Sequence, residues 1–288
     1  MASGRAGRRR FGLLASALLG VLLAGTPSTG SGRADPRIAL VVGNGRYVAT
    51  SRLANPPNDA RAIAQVLRGV GFEVTEVIDA GRARLEEEIR RFRDARRGVA
   101  ASIFFYAGHG LQIDGENYLV PVDARFEDGI DVVAGLIGLS GVVAPTANGS
   151  RVNLVFLDAC RDNPLGDSLK QTIGQRGRSV TLDGGRPVRS VGQGLAEMKA
   201  GVGTLIAYAT APDTVAEDGH GKHSPFSLGL LRYIREPGLE IRQLLTKVRL
   251  DVVKETERRQ VPWDHSSLTE NFYFIAPVKP KRPALPPP

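Results

Sequence analysis

The chain of 288 residues holds one cysteine, Cys160, and 51 positions before it stands a histidine between two glycines, Gly108-His109-Gly110. His109 closes an apolar run, ASIFFYAG, and Cys160 closes another, RVNLVFLDA. A thiol attacks a carbonyl carbon as the thiolate, and an imidazole within reach raises the thiolate fraction by taking the proton. The flanking glycines let a backbone approach closely, and the amides of Gly110 and Cys160 are placed to receive the oxyanion of a tetrahedral intermediate. Asp158 lies two residues before Cys160, so on a strand its side chain shares a face with the thiol position. These residue types point to nucleophilic acyl transfer by a His/Cys pair. The competing reading is a buried, inert thiol beside a loop histidine bonded to backbone.

For two such residues to meet, they must leave the same edge of one sheet. Runs at 37–43, 72–78, 101–107, 151–157 and 204–209 read as strands, several of them solidly apolar, and the one at 37–43, closed by Gly, as a strand buried on both faces. Between and after them, helices are expected at 55–70, opened by Asn55-Pro56, at 84–97, at 227–234 and at 241–257. A last short strand is expected at 271–275. Strands alternating with helices describe an α/β fold, a mostly parallel central sheet with helices on both faces. Ligands of such sheets bind beyond the carboxyl ends of the strands, where His109 and Cys160 stand.

The block YAGHG at 106–110 and the block DAC at 158–160 resemble the His and Cys motifs of the caspase and metacaspase clan of cysteine peptidases, in its bacterial metacaspase-like branch. The likeness spans about residues 37–275. It implies a three-layer caspase-like fold and an endopeptidase that uses the His109/Cys160 dyad. Caspases cut after Asp with basic pocket residues, and metacaspases cut after Arg or Lys with acidic ones. Asp59, in PPNDA, matches the family's other pocket carboxylate, and with Asp158 it would suit a guanidinium held by paired charge-assisted hydrogen bonds. A carboxylate favourable to a helix N-terminus is the plainer reading of Asp59. The chain departs from the family at Ala107, where many metacaspases carry Ser. Lys170, Arg176, Arg178, Arg186 and Arg189, in the long stretch 161–203, are candidate self-cleavage points for an Arg/Lys specificity. No cofactor is required; calcium, which many metacaspases bind, is a candidate through Asp114, Asp123, Asp128 and Asp131, against the reading of a solvated polar loop. The rival class is a catalytically silent interaction module on the same fold.

The net charge of +8 belongs to the two ends: Arg5, Arg8, Arg9, Arg10 and Arg33 precede the first acidic residue, and Lys279, Lys281 and Arg282 lie in the tail. The stretch between is neutral, which argues against nucleic acid as partner. The Arg-rich start, the apolar run at 11–24 and the small-residue exit before Asp35 read as an export signal over residues 1–34, with RRxF matching a twin-arginine pattern. The mature chain is then expected to be periplasmic or secreted, from a bacterium, monomeric, and without stable membrane insertion. A peptidase domain at 35–277 and a basic, Pro-rich tail at 278–288 complete the organisation. Three decoys carry no weight: GNG at 43–45 lacks the third glycine, at Val48; GDSL at 166–169 lacks a strand before it; and His220 and His223 lack a thiolate for a zinc site and read as solvated.

Overall fold

The computed structural model describes residues 35–125, 135–144, 149–159 and 181–278, the last span without 183–185, 189, 193, 213, 215 and 220. In chain order the elements are β1 (Arg37–Gly43), α1 (Pro56–Gly69), β2 (Glu73–Ile78), α2 (Arg82–Ala95), β3 (Ala101–Gly108), β4 (Gly110–Ile113), β5 (Glu116–Leu119), β6 (Ile137–Gly138) and α3 (Ser140–Val143). There follow β7 (Val152–Ala159), β8 (Thr181–Leu182), β9 (Arg186–Pro187), β10 (Thr204–Tyr208), α4 (Pro225–Tyr233), α5 (Ile241–Glu255) and β11 (Trp263–Ser266). Six strands make the main sheet, in the order β11-β10-β7-β3-β1-β2, parallel except where β11 pairs with β10.

The apolar runs are continuous because both faces of this sheet are covered. On one face Val41, Ile103, Phe105, Leu154, Phe156 and Leu205 pack with Ile63 and Leu67 of α1, Phe226 and Leu230 of α4, and Leu244 and Val248 of α5. On the other, Leu40, Val42, Phe104, Val155 and Ile206 meet Leu85, Ile89 and Phe92 of α2 and Val142 of α3. α2 is charged elsewhere because those three residues, spaced four and three apart, are all it buries. α1 opens on Pro56 with Asp59 in its first turn. α4 opens on Ser224, whose side chain accepts from the Ser227 N–H, followed by Pro225. The fold class expected from the strand and helix pattern is the one observed.

The differences lie at the periphery. The alternating apolar residues at 271–275 form no strand: Phe272 and Phe274 fill the core edge-to-face, with ring centroids 5.2 Å apart, while Tyr273 makes a single bridge to Glu240. The edge strand is instead β11, WDHS, polar because only β10 pairs with it. A small antiparallel sheet β4-β5-β6 and the hairpin β8-β9 had no legible signal. Within the long stretch after Cys160, Val191 bridges Ile113 of β4 and Gly192 N–H donates to Gln112 (3.0 Å), while the side chain of Asn117, on β5, both accepts from and donates to the backbone of Ala196 (2.7 Å each).

The GNG turn proves to be a packing device. A Cβ on Gly43 would lie 2.3 Å from the Pro56 carbonyl oxygen, so only glycine lets α1 lie this close to β1. Asn44, fully buried, donates to the carbonyls of Val120 (3.2 Å) and Ala80 (3.4 Å) and accepts from the Ala80 N–H (3.0 Å).

Candidate active site

β3 and β7 are neighbours at the centre of the sheet, in parallel register, with Ala107 opposite Asp158 and Gly108 opposite Ala159. The residues that follow these two strands in sequence are His109 and Cys160. Cys160 lies outside the described residues, as do Lys170, Arg176, Arg178, Arg189, Asp128, Asp131, His220 and the GDSL string; Arg186 falls in β9.

His109 is 1% exposed and held at every polar atom of its backbone. The Tyr47 hydroxyl accepts from its N–H at 2.7 Å, and the Tyr106 hydroxyl donates to its carbonyl at 2.7 Å. Its ring lies against the Tyr47 ring, centroids 4.5 Å apart. Nε2 is 2.9 Å from the carbonyl oxygen of Ser51. A carbonyl only accepts, so Nε2 carries the proton, and in the neutral ring Nδ1 is the basic nitrogen. Gly110 follows on β4, where a Cβ would lie 3.0 Å from Leu195 and 3.4 Å from the Ala159 side chain, so its backbone sits tight against the end of β7.

The two candidate pocket carboxylates meet at Ser224. Asp158 follows Phe156 on the α4 face of β7, and its Oδ2 accepts from the hydroxyls of Ser224 and of Ser227 (2.7 Å to Ser227). Asp59, from the first turn of α1, accepts from the Ser224 N–H (3.3 Å) and from Nδ1–H of His223 (2.8 Å). Asp59, Asp158, Ser224 and Ser227 are fully buried. Both carboxylates thus lie at the N-terminus of α4, where unpaired amides and the helix dipole favour negative charge. This corrects the reading of His223 as a solvated histidine: its ring is partly buried against Asp59. Burial and the Lys222 ammonium push its pKa below the ordinary value, so at neutral pH it is a neutral donor to Asp59.

The sequence reading missed Ser51, Tyr47, Tyr106, Ser224 and Ser227. Tyr106 sits in the YAGHG block itself; the others lie 58 to 69 positions from the residues they hold. Asp114 and Asp123, weighed as calcium ligands, are engaged elsewhere, Asp114 accepting from the Ser190 N–H (2.7 Å) and Asp123 from the Arg82 N–H (2.9 Å). Among the described residues no three His, Cys, Asp or Glu side chains gather in a way that could hold a metal ion.

A sheet covered on both faces, parallel but for one edge strand, with His109 and Asp158 at the carboxyl ends of its two central strands, is the architecture of the caspase-like class. Residues 36–273 match the caspase domain model, and the chain belongs to that family, a family of cysteine peptidases. Among solved structures it is similar to caspase-1 from Spodoptera frugiperda, with a TM-score of 0.58 over 85% of this chain and 91% of that one, at 19% identity. Among curated proteins it is 25% identical over 260 residues to the mucosa-associated lymphoid tissue lymphoma translocation protein 1 homolog of Mus musculus, covering 87% of this chain. It is 25% identical over 146 residues to the Homo sapiens protein of that name, covering 48% of this chain. The matched regions span only 28% and 18% of those two relatives.

Proposed function

We propose that the chain is a metacaspase-like cysteine endopeptidase in which His109 and Cys160 react together and which cleaves after Arg, then Lys, but not after Asp. The observation that carries this reading is the pinning of His109 Nε2–H to the Ser51 carbonyl, at the end of a strand whose register partner leads directly into Cys160. That bond leaves Nδ1 as proton acceptor. In the proposed reaction Nδ1 takes the thiol proton and the thiolate sulfur adds to the scissile carbonyl carbon. The Gly110 and Cys160 amides receive the oxyanion. The imidazolium returns its proton to the departing amine, leaving an acyl-enzyme, and water then releases the acid. For the preceding side chain, Asp59 and Asp158 supply two negative charges around Ser224, which favours a guanidinium or ammonium over a carboxylate.

Fluorogenic peptides ending in Arg, Lys and Asp test both halves of the proposal. The wild type should hydrolyse the Arg substrate fastest and the Asp substrate at background, and Cys160→Ala should remove all hydrolysis. Preference for Asp overturns the pocket assignment, and activity that survives Cys160→Ala overturns the dyad. The same reading extends to self-cleavage in the 161–203 stretch, visible as fragments of the wild type that the Cys160 variant does not produce. The export of the mature chain and its action as a monomer, with no required cofactor and calcium as a candidate ligand, are proposals of the sequence. No helix among the described residues is long and apolar enough to cross a membrane.

A further inference from the structure

His109 is gripped by more than its ring nitrogen. Tyr47 stands in the turn after β1 and Tyr106 near the end of β3, and both are buried. Tyr106 has one proton, and its nearer acceptor is the His109 carbonyl; the Val120 carbonyl, at 3.2 Å, is the more distant one. With that proton directed to carbonyls, any hydrogen bond across the 3.5 Å between the two tyrosine oxygens is donated by Tyr47. The two hydroxyls therefore bracket one residue, one accepting from its N–H and the other donating to its C=O. Gly108 is what admits them: a Cβ there would lie 2.6 Å from the Tyr47 oxygen and 2.8 Å from the Tyr106 oxygen.

The turn that carries Tyr47 is itself fixed. The N–H groups of Gly45 and Arg46 both donate to Asp79 Oδ1 (2.8 and 2.9 Å), Val48 N–H donates to Val122, and Leu53 N–H to Gly45. The same turn delivers the Ser51 carbonyl to Nε2. One anchored loop thus reaches the histidine at its amide, its ring face and its ring nitrogen.

We propose that Tyr47 and Tyr106 are positioning residues for the base: their hydroxyls hold the two peptide units on either side of the His109 Cα, and the Tyr47 ring packs against the imidazole. This rests on the reading of His109 as proton acceptor for Cys160. A base whose two flanking peptide units are both held keeps its Nδ1 lone pair aimed without reorganisation during each turnover, and small misplacements of such groups cost large factors in rate.

Because Cys160 is the single cysteine, its alkylation by iodoacetamide reports the thiolate without interference. The test compares the pH profile of alkylation, kcat and KM on the Arg substrate, and thermal unfolding, for wild type, Tyr47→Phe, Tyr106→Phe, Tyr47→Leu and His109→Ala. Each Phe variant should lower kcat roughly tenfold with KM little changed, and should move the alkylation midpoint toward the ordinary thiol value of about 8.5. Tyr47→Leu, which also loses the ring, should fall further than Tyr47→Phe. Phe variants that are only less heat-stable, with wild-type alkylation profile and kcat, overturn the proposal and leave the tyrosines as structural. The two tyrosines sit on different elements, so if one variant does not fold the other decides. A wild-type thiol that titrates ordinarily and is unmoved by His109→Ala overturns the dyad itself, and the positioning role with it.

Discussion

At the level of single residues, the space around Gly108 leads to a prediction that Gly69 controls. Gly108→Ala would force a methyl group into two buried tyrosine oxygens, whereas a Cβ at Gly69, the last residue of α1, meets nothing within 4 Å. Overpacking of this kind costs about 1–3 kcal/mol, while Gly to Ala at an unstrained helical position is neutral or gains up to about 1 kcal/mol. Urea unfolding of the two variants should show that opposite pair of shifts, and Gly108→Ala should also lose hydrolysis because His109 follows directly. His109, Cys160 and Asp158 stand out in the sequence because their chemistry resides in side-chain type and their spacing matches a strand edge, and Asp59 because PPNDA matches a family motif; the structure places His109 and Asp158 at such an edge and Asp59 in the first turn of α1. Ser51 was not, since it acts through a carbonyl that every residue possesses, and only the path of the turn brings it to Nε2. Ser224 was hidden for a different reason: 66 positions separate it from Asp158, and a capping serine before Pro225 explains itself without any carboxylate.

Among the elements, the N-terminus of α4 has a pH signature. His223 binds its proton less readily in the folded protein than in the unfolded chain, through burial first and Lys222 second. The folded pKa is depressed, so the unfolded chain takes up the proton first. The stability that the neutral ring contributes is present above the unfolded pKa of about 6.5 and is lost as the pH falls below it. The urea midpoint of the wild type should therefore drop more steeply from pH ~7.5 to ~5.5 than that of His223→Gln, which has no proton to gain. Parallel curves would remove the claim. The central strands and four of the helices were readable because burial on two faces leaves an unbroken apolar run, and burial on one side leaves a stripe. The residues at 271–275 defeated that logic: alternation records which side chains are buried, and Phe272 and Phe274 are buried without a neighbouring strand to pair with. β11 failed in reverse, a real strand at an edge where hydrogen bonding to one neighbour demands little of its side chains.

Across the whole molecule, composition misleads unless it is mapped. A pI near 9.9 suggests an affinity for polyanions, yet the positive excess lies in residues 1–34 and the last few positions, and the sequence between is formally neutral. Sheet order matters more. β3 has β1 and β7 beside it and β7 has β3 and β10, whereas β2 and β11 each have one neighbour. Native-state deuterium exchange should therefore rank the strands: amides of β2 and β11 open by fraying, and those of β3 and β7 exchange last, at rates that follow global unfolding in added denaturant. Fast exchange at 101–107 or 152–158 under native conditions would contradict this. His109 and the carboxylate of β7 thereby issue from the two strands expected to open last, so fraying at the sheet edges leaves both where they are.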